Sequence, residues 1–375
     1  MNLRRRLAKS AVLRLRTSKA KGNLPMTGKY MAYVGSYSYT GKAKGITVYD
    51  VDVEAGKFIY RCEVEVDNSS YLKSSQNGKI LYSIADEGVV AFRVLPNGSL
   101  ARLNSAKIKG MRGCHLSTSK ADDYIFISGF HDGKITVLHL NEDGSVGDIA
   151  DGVFHKGLGS VAERSFRPHV SCSRLTPDER FLMVADLGID QIKVYRFDHK
   201  DGKIALVDTI RCELESAPKY FMFSSDGRFF YVLYEMKNVI EVYSYKEGER
   251  VPIVEKIQTI SSTGSKPNQL TAACAMHFSP DEKHVFCSNA GDNTVSMYDR
   301  DDETGMLTLR FCLPISGDYP KDIAIFPGGE HLASINHEGS ISFFKIDYEK
   351  GLLVMSDRSI KVNEPNCCEI VKIGD

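Results

Sequence analysis

With 375 residues, 42% of them hydrophobic, the chain has enough apolar material for a substantial core, and its length fits two ordinary domains or one large all-β domain. Lys plus Arg and Asp plus Glu number 48 each, so the formal net charge is zero and no overall field draws the chain to nucleic acid or an anionic membrane. Neither partner is expected, which leaves a small molecule.

The first 27 residues carry eight Lys or Arg and no acidic residue. They are expected to stay outside the fold as a disordered tail, with a targeting or anionic-surface segment as the alternative. No apolar stretch approaches the roughly 20 residues of a membrane helix. The nine cysteines are odd in number and form no CxxC pair, which predicts reduced thiols in a cytoplasmic protein.

From Lys29 onward an apolar segment recurs: KYMAYVGS, KILYSIAD, DYIFISGF, RFLMVADL, RFFYVLYE, KHVFCSNA and EHLASINH. The seven copies lie about 44 to 57 residues apart, the spacing of β-propeller blades. Six follow a polar turn such as TPDE or SSDG, whose Pro, Asp and Gly supply tight-turn backbone angles. A strand with alternating β-branched and aromatic residues follows each copy, as in GITVYDVD and DQIKVYRF, and most run through a second turn into a fourth strand.

The strand before each polar turn (SYLKSS, CHLSTS, HVSCSRLT, KYFMFSS, AMHFSP, DIAIFP) is the innermost of its blade. Only the first unit lacks one, and CCEIVKI from Cys367 supplies it at the far end of the chain. The fold class is therefore all-β: a seven-bladed β-propeller of four-stranded antiparallel blades over 28–375, closed by the C-terminal strand completing the first blade.

Inner strands start, and second strands end, on one face of such a ring. That face collects Tyr71, His115, His169, Lys219 and Lys321 from strand starts and Asp186 and Glu235 from strand ends, whereas the other face receives turn residues. Function is expected where the charged residues converge. Taken singly, each of these side chains is as compatible with capping a turn or bonding a neighbouring blade. Cys114 reads either as a nucleophile or as a buried thiol. No HxH or HxxxH spacing supports zinc, so neither metal nor cofactor is expected. The absence of tryptophan counts against a WD40 scaffold.

The same stretches carry a family likeness. VGSYSYTGKAKGITVYDVD, GCHLS, ERSFRPHV, VADLGIDQIKVYRFD, APKYFMF, SPDEKHVFCSNAGDNTV and YPKDIAIFP, in this order, make the chain resemble the seven-bladed propeller lactonases. That group contains propeller-type 6-phosphogluconolactonase and carboxy-muconate cycloisomerase. The resemblance implies a site of one histidine, two arginines and one glutamate at the channel mouth. His169 matches the histidine and Glu235 the glutamate, while Lys219 replaces the first arginine and Ala290 the second. Ala275, Ser171 and Lys321 are further departures, and Arg164 keeps a family arginine.

The implied activity is lactone hydrolysis resembling that of 6-phosphogluconolactonase, in carbohydrate and pentose phosphate metabolism. His169 and Glu235 would move protons, Lys219 would stabilise developing negative charge, and Arg164, His115, Lys321, Asp186 and Tyr71 would bind the lactone or sugar acid. A lysine cannot reproduce the bidentate fork of an arginine. Two alternatives follow: a different lactone or a cycloisomerisation, and a non-catalytic propeller serving as a binding module.

Overall fold

The computed structural model describes residues 28–160, 166–264, 267, 268 and 270–374. The basic segment 1–27 lies outside the described residues. Among those described there are twenty-eight strands and no helix, and the strands form seven four-stranded antiparallel sheets arranged as the repeat predicts.

Ring closure follows the C-terminal route. Pro365–Ile373 is the inner strand of the first blade and pairs antiparallel with Lys29–Ser36, from Lys29↔Ile373 to Gly35↔Cys367. The first and last strands of the described residues thus share one sheet, which closes the ring at the seam.

The core is divided among the blade interfaces rather than gathered at the centre. Met31 and Tyr33 pack with Leu81 and Phe92 between the first two blades, and Ala32 and Val34 pack with Phe326, Ile335 and Phe343 between the last and the first. Both faces of a second strand are therefore covered, which is why Phe229–Tyr234 is buried at every position and reads as a continuous apolar run. Each fully buried side chain of this kind contributes about 1.5–3 kcal/mol.

Tyrosines add directed contacts between blades. Tyr33, Tyr82 and Tyr231 donate their hydroxyls to the carbonyls of Gly98, Gly144 and Gly305 in the outer turn of the next blade, at 2.9, 3.1 and 2.8 Å. Those glycines have positive φ, and a Cβ at Gly305 would sit 2.4 Å from the Phe229 ring.

Closure by a single strand has a measurable consequence. Truncation after Glu364 removes the inner strand of the first blade and strips Met31, Tyr33 and Val34 of their cover. We expect no cooperative thermal unfolding transition from the truncated chain, and a native-like transition would show that the ring closes without that strand.

Candidate active site

The inner strands begin with an irregularity that aims side chains. In the fifth blade Pro218 pairs with Tyr234 and Tyr220 with Leu233, so Lys219 is an extra residue with no partner of its own. The same one-residue shift falls at Ser171, Cys274, Lys321 and Asn366. Ser70 and Cys114 hold the corresponding positions in the remaining two blades. These seven side chains, one per blade, all line a single cavity of about 110 Å³ at the channel mouth. A β-bulge re-aims the side chain of the inserted residue, and here the device is repeated around a ring.

The approach to four of the ring positions is pinned. Asp190 accepts from the Ala217 N–H and Asn293 from the Tyr319 N–H, at 2.8 and 2.9 Å, each reaching from the preceding blade. Asp186 accepts from the His169 N–H at 2.8 Å, and Ser38 Oγ from the Asn68 N–H at 2.9 Å. Ala217, Tyr319 and Glu364 each lie two residues before a bulge, Asn68 lies two before the equivalent Ser70, and all four have φ between 46° and 60°. A left-handed backbone at a non-glycine residue costs roughly 1–2 kcal/mol and persists where the surroundings fix it.

One residue deeper, rings floor the cavity. Tyr71 lies 4.8 Å from His115, His115 5.8 Å from Tyr220, and Tyr220 6.2 Å from His277. His277 Nε2 contacts Asp322 Oδ1 at 2.8 Å. Burial, reinforced by Arg174 and Lys73, pushes His115 well below the usual histidine range and keeps it neutral. The Ser173 N–H points at His115 Nδ1, which leaves the proton on Nε2 facing Cys172 Sγ. Arg174 donates to the Tyr220 hydroxyl beneath this layer.

Positive charge dominates the ring. Lys219 Nζ lies 2.6 Å from Glu235 Oε2. Burial opposes the Lys219 charge, but Cys274 and Glu235 outweigh it and hold the ammonium above the ordinary lysine range. Lys321 has no such partner among the described residues. Burial, then repulsion from Lys219, brings its ammonium down to about 8. Its Nζ lies 5.2 Å from the Tyr37 ring, and Arg112 approaches the same ring at 4.9 Å while bonding Asp86 at 3.0 Å.

The sequence-predicted residues are not all brought together. Tyr71, His115, Lys219 and Lys321 line the cavity, and Glu235 reaches it as the counter-ion of Lys219. His169 does not line it. The His169 ring stacks on Phe130 at 4.4 Å and donates Nδ1–H to the Phe130 carbonyl at 2.7 Å, which leaves the Nε2 lone pair available.

Asp186, expected to bind substrate, is fully buried and turned inward. Its oxygens accept from the His169 and Gly188 N–H groups and from His155 Nδ1. Arg164 lies outside the described residues. Burial pushes the Cys114 thiol up to about 12, which gives no support to a nucleophilic role.

Arg112, Tyr37, Cys274 and Asn366 belong to this mouth without having been singled out by sequence. The available signal was positional: Cys274 and Asn366 align with Lys219 and Lys321 once the inner strands are superposed. Pro218, Pro320 and Pro365 each precede a bulge residue. A larger cavity of about 730 Å³ opens on the opposite face, among hairpin turns including Asn77, Pro96 and Asp143.

A family model described as Lactonase, 7-bladed beta-propeller, matches residues 31–370. The chain belongs to that lactonase family. A Bacillus subtilis 6-phosphogluconolactonase is 27% identical over 350 residues, covering 92% of this chain and 99% of the relative. Among solved structures, a candidate 6-phosphogluconolactonase of Bacteroides fragilis superposes with a TM-score of 0.84 at 29% identity, covering 93% and 99% of the two chains. The periplasmic gluconolactonase of Pseudomonas aeruginosa gives 0.86 at 23% identity over 92% and 100%, a likeness of fold. Within this lactonase family the present mouth is built around lysines, and the buried Ala290 contributes no charge to it.

The burial of Asp186 sets an expected outcome. Asp186→Ala leaves two backbone N–H groups and the His155 Nδ1–H unpaired in a dry site, at a cost of about 3–5 kcal/mol. Urea denaturation is expected to show that loss, and a change below 1 kcal/mol would contradict this placement of the carboxylate.

Proposed function

We propose that the protein is a lactone hydrolase acting on anionic sugar lactones, with 6-phosphogluconolactone the substrate to test first and its hydrolysis to 6-phosphogluconate the reaction. The observation that carries this reading is the convergence of Lys219 and Lys321 on one channel mouth in a chain of the lactonase family. Two lysine ammonium groups above an aromatic floor suit a small, negatively charged, oxygen-rich ligand. Nine free thiols favour a reducing, cytoplasmic setting.

Hydrolysis requires that water add to the lactone carbonyl, that its proton be taken, and that the ring oxygen leave as a hydroxyl. His169 stands outside the lining of the cavity and is kept as the base on the family match; with Nδ1–H committed to Phe130, it would act through Nε2 on a substrate that extends beyond the two lysines. Lys219 offers a permanently charged donor to the oxyanion, and Glu235 orients that ammonium. Lys321 supplies a second charge for the phosphate or carboxylate, and Tyr71 and His115 form the surface on which the ring rests. Arg164 is retained in this reading as a further anion contact. A different lactone is the second reading, favoured by the uncharged Ala290 and Ala275 in place of polar family residues.

Purified protein is expected to hydrolyse 6-phosphogluconolactone faster than its spontaneous rate. Loss of the base in His169→Ala should lower kcat by about 10²–10⁴. Loss of the oxyanion donor in Lys219→Met should lower it by about 10²–10³. Turnover no faster than background would reject this substrate, and unchanged kcat in both variants would reject the assigned roles.

The pH profile is a separate check. Lys219 keeps its charge across neutral pH, whereas Lys321 loses its charge above about 8, so KM for an anionic lactone should rise above that pH. A flat KM from pH 7 to 9 would remove Lys321 from the anion site.

A further inference from the structure

Lys321 differs in kind from Lys219, the other lysine lining the mouth. It is an amine aimed into the channel by a bulge, and among the described residues no carboxylate pairs with it. The nearest acids are committed elsewhere. Glu235 is held by Lys219 at 2.6 Å, and Asp322 is held by His277 and by the Cys368 N–H, at 2.8 and 3.0 Å. Around Lys321 stand the Tyr37 ring, the repelling Lys219 ammonium and a His337 that burial holds below the usual histidine range; Cys274, Glu235 and Cys367 favour its charge but are outweighed by burial and Lys219.

We propose that Lys321 is a carbonyl-trapping amine, which forms an imine with small aldehydes and 2-oxo acids that enter the channel. An amine desolvated beside a second cation is the arrangement that keeps a lysine nucleophilic at neutral pH. The depressed ammonium of Lys321, near 8, agrees with that arrangement. Lys219 provides the anchor for a ligand carboxylate and leaves Lys321 to reach the carbonyl carbon.

The step balances without a redox partner. The free Nζ pair adds to the carbonyl carbon, and the carbonyl oxygen takes a proton. The proton on oxygen is replaced by one lost from Nζ, and the resulting carbinolamine then expels that oxygen as water as the second Nζ proton leaves, giving a C=N bond and one water. This property does not depend on the lactonase reading, because an imine can form in a protein that turns over no lactone.

Glyoxylate with cyanoborohydride, followed by peptide mass mapping, tests it on the full-length protein. We expect one dominant reduced adduct, on the peptide carrying Lys321. At pH 7 an amine with a pKa near 8 holds on the order of 10² times more free base than an ordinary lysine, and labelling should be faster in that sense. Lys321→Arg should abolish the adduct.

Lys219→Met should slow labelling of Lys321 although Lys219 is not itself the labelled residue, because it removes both the repulsion that depresses the Lys321 ammonium and the anchor for the glyoxylate carboxylate. Circular dichroism of both variants checks that they are folded. Adducts spread over surface lysines in proportion to exposure, or equal labelling of Lys321 in the Lys219 variant, would overturn the proposal. Lactone turnover measured on the same preparations is scored separately, so failure of one reading is not mistaken for failure of the other.

Discussion

A one-residue insertion at the start of five of the seven inner strands is the constraint on which the rest of this site depends. Inner strands of a propeller run along a narrow channel, and regular pairing would alternate their side chains between the channel and the blade interfaces. The bulges at Ser171, Lys219, Cys274, Lys321 and Asn366 interrupt that alternation at one level of the ring. They turn a polar or charged residue into the channel while the next residues resume the apolar register that the blade interfaces need. The left-handed residues before four of the ring positions, and the side chains that catch their N–H groups, hold the insertions in place.

Charge distribution then follows from which residues occupy the bulges. Lys219 has its carboxylate and Lys321 has none among the described residues, so two lysines on one ring carry different protonation behaviour. Arginines in their place would remain charged at every accessible pH and offer a fixed fork. Lysines make the mouth adjustable, with one permanent charge and one that titrates within a unit or so of neutrality. This difference ties the proposed lactone chemistry and the proposed carbonyl trapping to the same pair of residues.

Much of the architecture was legible before any coordinates. Buried second strands read as continuous apolar runs, the turns between strands carry Pro, Asp and Gly, and the one missing inner strand had an obvious replacement at Cys367. The face on which the lysines converge followed from strand direction alone. Pairing register is a different matter, because a bulge depends on which residues face each other across two strands. Lys219 and Lys321 could therefore be named, while Cys274 and Asn366, their equivalents in the ring, were passed over.

Asp186 shows the limit from the other side. It ends a strand on the correct face, yet its side chain turns inward to bind backbone N–H groups, and nothing in VADLG distinguishes that from pointing into the channel. Arg112 precedes its strand and so falls outside the repeat. Its place beside Tyr37 arises from contacts between segments about 75 residues apart.

The most direct measurement is a crystal structure of the protein with 6-phosphogluconate bound. We expect the ligand in the channel mouth, with an anionic group within hydrogen-bonding distance of Lys219 or Lys321 Nζ and its carbon chain over Tyr71 and His115. Density for the ligand among Lys79, Arg93 and Lys372 in the opposite-face cavity, with the channel mouth empty, would contradict the assignment of function to the ring of bulges.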